Sequence, residues 1–139
     1  MPNISITKTV FFNASPAIVW TYLTEKEKLG KWFHPAEKDL EEGKDYALVA
    51  MADDGALVPQ CWGVVKKMNP PTELVWSFTV KPMNGVMTTV TWTLEECAGG
   101  TKLTLVHSGL PGTPDDFGLV KALDAGWDMH LGRFRSELD

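Results

Sequence analysis

Residues 113–138 read TPDDFGLVKALDAGWDMHLGRFRSEL, and the fold turns on how they are taken. Leu119, Leu123, Trp127, Leu131, Phe134 and Leu138 recur at steps of four and three, with Val120 and His130 flanking the stripe. That spacing lays one apolar face along a helix of roughly 22–25 residues. Pro111-Gly112 breaks what comes before. Thr113 suits the cap, Pro114 the first helical position, and Asp115 and Asp116 the positive end of the helix dipole. A single long helix with one apolar face needs a sheet to lie on.

Working backwards, the sheet is there. Leu103, Leu105 and His107 alternate, as do Val90, Trp92 and Leu94, then Leu74, Trp76 and Phe78. A strand is expected over 57–68, with Gly63 as a bulge or bend. Tyr46, Leu48 and Ala50 alternate in another, and Glu37 to Leu40 reads as a short one. Asp53-Asp54-Gly55, Asn69-Pro70-Pro71-Thr72, Pro82 to Gly85 and Ala98-Gly99-Gly100 supply the turns. Strands at turn spacings of about 8–12 residues make an antiparallel meander.

At the front, Ile4, Ile6, Val10 and Phe12 share one face of a strand interrupted by Lys8. Ser15 caps and Pro16 opens a short helix carrying Ile18, Val19, Trp20 and Leu23. Thr24 to Glu27 reads as a capping box for a second, with Leu29, Trp32 and Phe33 on one side, ended by His34-Pro35. The expected architecture is α+β: one domain over 1–139, two short helices after the first strand, and a curved antiparallel sheet of six to seven strands around a long C-terminal helix. Such a sheet and one helix leave space between them, which six Trp in 139 residues would line.

Hydrophobic residues at 44% and charged residues at 22% exclude a disordered or low-complexity chain. A net charge of −5 without a basic cluster argues against nucleic acid and anionic membranes as partners. No basic start leads into an apolar run, and no stretch approaches ~18 apolar residues, so neither a signal peptide nor a membrane span is expected. Cys61 and Cys97, at no motif spacing, read as reduced buried thiols in a cytoplasm.

Four stretches together resemble a known family. They are Ala14 to Trp20 with Leu23-Thr24; Leu29 to Phe33; Gly63-Val64-Val65 with Asn69-Pro70-Pro71 and Leu74-Val75-Trp76; and Thr101 to Leu110 followed by Gly126-Trp127 and Leu131. In this order they resemble the helix-grip superfamily of START, birch-pollen-allergen and polyketide-cyclase-like domains, called SRPBCC. Within it the chain is most similar to the bacterial group of homologues of the heat-shock-ATPase activator. The resemblance covers nearly the whole chain. It implies a helix-grip fold with a cavity for an apolar ligand, and supplies no reaction.

Trp32, Trp76, Phe78, Trp92, Leu119, Leu123 and Trp127 fall on inward faces and are the expected cavity wall, with His107 as the one polar anchor. Each aromatic also serves as plain core, and a lone inward histidine is more often satisfied by a neighbour. His34 is expected exposed near the pocket mouth and His130 at the helix edge. Met51, Met87 and Met129 fill gaps or adapt to varied ligands. No Gly-x-Ser-x-Gly elbow, phosphate-cradling glycine spacing or metal-ligand histidine pair occurs, so no cofactor and no metal are expected. The function expected is binding of a small apolar or aromatic molecule. The alternatives are a cyclase- or hydrolase-like enzyme using His107 as acid or base, and a protein-interaction module. Homodimerisation is left open.

Overall fold

In the computed structural model, which describes residues 3–139, six antiparallel strands form one sheet in the order β1-β6-β5-β4-β3-β2. The elements are β1 (Ile4–Phe12), α1 (Pro16–Thr24), α2 (Lys26–Trp32), β2 (Asp45–Met51), β3 (Leu57–Asn69), β4 (Glu73–Phe78), β5 (Thr88–Cys97), β6 (Gly100–Leu110) and α3 (Phe117–Glu137). The expected strand at Glu37 to Leu40 is not one. That stretch contributes only an isolated bridge, Ala36 to Leu48.

The alternation seen in the sequence decides which side chains point in. On β6 Thr101, Leu103, Leu105 and His107 are buried, and on β5 Thr88, Val90, Trp92 and Leu94. Gly109, at φ 79°, interrupts the pattern on β6, and Leu110 points inward after it. Register shifts between Leu48 and Val49 and between Val65 and Lys67 bend the β2–β3–β4 side of the sheet, as bulges do. Gly63 lies between these shifts and has a different role. A Cβ there would stand 2.1 Å from the Ser77 carbonyl oxygen, so only glycine lets β3 approach β4 this closely.

Ser15 caps α1 by accepting from the Ile18 amide at 3.4 Å, with Pro16 in the first turn, as its sequence implied. The capping box at Thr24 does not form. Thr24 is buried as the last residue of α1 and its hydroxyl donates back to the Trp20 carbonyl at 3.0 Å. Glu25 takes the cap position of α2, and the first amide of α2, Lys26, finds Asp39 Oδ1 at 2.9 Å. The long helix starts later than its sequence suggested: Pro114–Asp116 is a 3-10 turn, and α3 runs 21 residues from Phe117.

On α3, Leu131 and Phe134 are buried, with the Phe134 ring 4.4 Å from both Phe12 and Trp32. Lys8, the charge that interrupts β1, ties the same helix down through Asp124 at 2.7 Å and Asp128 at 2.9 Å. Further toward the N-terminus, Leu119 and Leu123 are only partly buried and Ala122 is exposed. Val120 and Trp127 are buried too, so the helix is seated along its length, with Leu119, Ala122 and Leu123 on its less covered edge.

Candidate ligand cleft

A cleft of about 130 Å³ opens along the less covered edge of α3. Its helix wall is Ala122, Leu123, Gly126, Trp127 and His130 of α3. Gln60 and Cys61 of β3 with Phe78 and Val80 form the sheet wall, and Phe33 and His34 after α2 close one side. Gly126 lines it without a side chain. A Cβ at Gly126 would meet nothing within 4 Å, although a mid-helix glycine costs about 1 kcal/mol relative to alanine. A wider depression of about 580 Å³ at Glu37–Ala47 is walled largely by charged side chains, Glu37, Lys38, Asp39, Glu41, Lys44 and Asp45. Tyr46 and Ala47 are the apolar part of that lining, and six charged side chains surround them.

Trp127 is held in place by a relay of hydrogen bonds. Its Nε1–H donates to His107 Nδ1 at 3.0 Å. An indole can only donate, so Nδ1 is the bare nitrogen and Nε2 carries the proton. Nε2 lies 2.7 Å from Thr88 Oγ1, whose own hydroxyl donates to the Phe78 carbonyl at 2.7 Å. The relay ties α3 to β6, β5 and β4, and every member is paired. His107 is fully buried, and burial pushes its pKa down from 6.5 to about 4. It is a neutral imidazole with both nitrogens occupied.

The two histidines at the cleft are in a different state. His34 and His130 are half-buried, with ring centroids 5.5 Å apart. His130 Nδ1 donates a long bond, 3.4 Å, to the Trp32 carbonyl, leaving Nε2 unengaged. Burial, then Arg133, holds His34 below the usual histidine range. Burial likewise lowers His130, opposed by its bond to Trp32 and assisted by His34 and Arg133. Cys61 at the cleft floor is also buried, and burial pushes its thiol up, away from the nucleophilic thiolate.

A family model described as Activator of Hsp90 ATPase homolog 1-like protein matches residues 13–139. The chain belongs to that family. Solved structures of similar proteins share the fold. Protein MLL2253 from Mesorhizobium loti is 20% identical at a TM-score of 0.78, over 96% of this chain and 95% of that one. The Aha1 dimer from Colwellia psychrerythraea is 20% identical at 0.77, over 97% and 96%. CalU16 from Micromonospora echinospora is 24% identical at 0.70, over 94% and 72%. No curated protein matches the sequence.

On this Activator of Hsp90 ATPase homolog 1-like scaffold, the expected wall residues divide into two groups. Phe78, Leu123 and Trp127 line the cleft. Trp32, Trp76, Trp92 and His107 do not; they are buried behind the lining, Trp32, Trp76 and Trp92 packed on one another and His107 against Phe78 and Trp127, and Leu119 packs partly buried against the core. Trp32 Nε1 donates to the Tyr22 carbonyl at 2.9 Å. Trp76 and Trp92 have no hydrogen-bond partner for their indole N–H. Trp92 meets Trp32, Trp76 and Trp127 edge-on at 5.6–5.8 Å, where a ring face can take an acceptor's place.

His34 lines the cleft, at whose mouth it was expected, but is half-buried and not exposed; its meeting with His130, 96 positions away, was not legible in the sequence and follows from α2 packing on α3. Met51, Met87 and Met129 are exposed and line no part of it. Cys97, expected buried, is exposed at the end of β5; both cysteines are free thiols. Among the described residues no group of three or more metal-ligating side chains gathers, and no helix is long and apolar enough to cross a membrane.

Proposed function

We propose that this protein binds a small, largely apolar molecule in the cleft between α3 and the sheet. Phe78, Leu123 and Trp127 contact the ligand. Trp32, Trp76 and Trp92 are the rigid layer beneath, and His107 acts by fixing the Trp127 ring. The cleft lining carries the reading: Phe78, Leu123 and Trp127 present apolar surface to an open space beside Gly126, where no side chain fills it. Occupation of both His107 nitrogens favours binding over acid–base turnover at that residue.

Native mass spectrometry of freshly purified protein tests this. A bound mass at one-to-one stoichiometry, released on denaturation and absent from Gly126→Phe, supports it. Retention of the same mass by Gly126→Phe refutes the cleft as the site.

A second reading concerns self-association. Met51, Leu57 and Val58 are exposed on the β2–β3 hairpin, and β2 is an open sheet edge. Light scattering on Leu57→Asp checks it; a dimer that becomes monomeric supports the hairpin as the contact.

A further inference from the structure

The cleft lining mixes two chemistries. Phe78 and Trp127, ring centroids 5.8 Å apart, supply aromatic surface, with Leu123. His34 and His130 supply polar atoms, joined to Trp127 through Phe33, which lies 5.4 Å from Trp127 and 4.6 Å from His130; His130 Nε2 has no partner among the described residues. Although the chain has a net charge of −5, no carboxylate lines the cleft among the described residues. The charged neighbour that both histidines feel is Arg133, on the same helix as His130. The lining thus sets no fixed negative charge against an anionic group, unlike the protein as a whole. The volume bounds the ligand: about 130 Å³ is close to the ~150 Å³ that holds a benzene ring.

We propose that the cleft takes a single-ring aromatic acid, its ring against Phe78 and Trp127 and its carboxylate against His34 and His130. This rests on the cleft being the binding site and names what it selects.

The free histidines are neutral at neutral pH, because burial and Arg133 disfavour their charged forms. A carboxylate placed between them reverses that balance. The complex therefore takes up a proton from solvent, either on a histidine facing the anion or on the carboxyl donating to His130 Nε2. Both arrangements hold one proton more than the separated partners, so affinity for the acid rises as pH falls from 8 to 6, by up to about tenfold per pH unit. A cationic ring finds no carboxylate in the lining to pair with.

The test is calorimetry with three single-ring probes that differ in their substituent, benzoate, toluene and benzylamine, at pH 6 to 8. Benzoate is expected to bind at least about tenfold tighter than benzylamine at pH 6, the factor one lost charge-assisted contact produces. Its titration in buffers of different ionisation enthalpy should show proton uptake. His130→Gln and His34→Gln should each lower the ratio of benzoate to toluene affinity and flatten its pH dependence. Toluene binding as tightly as benzoate, with no proton uptake and no response to either substitution, overturns the acid assignment while leaving an apolar cleft. If none of the three binds, the cleft reading falls with it.

Discussion

Acid should destabilise this protein through His107, and the size of the effect follows from the relay. The imidazole is fully buried, and Trp127 Nε1–H requires its Nδ1 to stay bare. In the unfolded chain the ring takes up a proton below about 6.5. In the folded chain it resists protonation until about 4. The contribution is thus complete above about 6.5, declines as pH falls, and is gone below about 4. At about 1.4 kcal/mol per pH unit it amounts to about 3 kcal/mol in full, of which about 2.5 kcal/mol is lost between pH 7.5 and 4.5. His34 and His130 are lowered too and add loss of the same sign. Comparison with a chain lacking the 107 imidazole isolates the share of interest. Urea unfolding of the wild type and His107→Gln at both pH values gives it. The variant should start about 1–3 kcal/mol less stable at pH 7.5, since one glutamine amide cannot reach both Trp127 and Thr88. Its loss on acidification should be smaller than the wild type's by about 2.5 kcal/mol. Equal acid losses in the two proteins would refute the neutral, doubly bonded imidazole.

Four further outcomes follow from the same geometry. Gly63→Ala should cost about 3 kcal/mol or more in chemical unfolding, because its methyl meets the Ser77 backbone and the strands must part. Gly126→Ala should stabilise by about 1 kcal/mol, since its Cβ enters open space on a helix; a thermal melt reads this directly. Lys8→Ala should cost no more than about 1 kcal/mol, and less still in 1 M salt, because both aspartate partners are exposed. Native alkylation followed by peptide mass mapping should modify Cys97 readily and leave Cys61 untouched until the protein unfolds.

The sequence made the scaffold legible because its signals are local. The four-and-three spacing from Leu119 to Phe134 and the alternation of Leu103, Leu105 and His107 each depend on one element's own geometry. Ser15-Pro16 needed only the next turn of chain to act as a cap. What went unread depends on partners distant in sequence. The start of α2 is satisfied by Asp39 across a loop, not by the capping box its own residues spell. Gly63 looks like a bend from its own strand, and only the approach of Ser77 explains it. His107 faced inward as its register required, but alternation carries no information on what would occupy its nitrogens. The cleft itself is built where α3, the end of β4, β3 and the residues after α2 meet. Its wall draws on Ala122 and Gly126, whose small size carried no apolar signal, and on His130; His34 was expected near the mouth, but not its approach to His130.

The central claim is that the space beside Gly126 is a binding site, and NMR of the six tryptophan indole N–H signals tests it most directly. During titration with toluene, the Trp127 signal should shift and saturate while that of Trp20, buried on α1 and no part of the cleft, stays fixed. Gly126→Phe should abolish the shift without unfolding the protein. Toluene that leaves Trp127 unmoved, or that moves it equally in Gly126→Phe, would contradict a ligand cleft between α3 and the sheet.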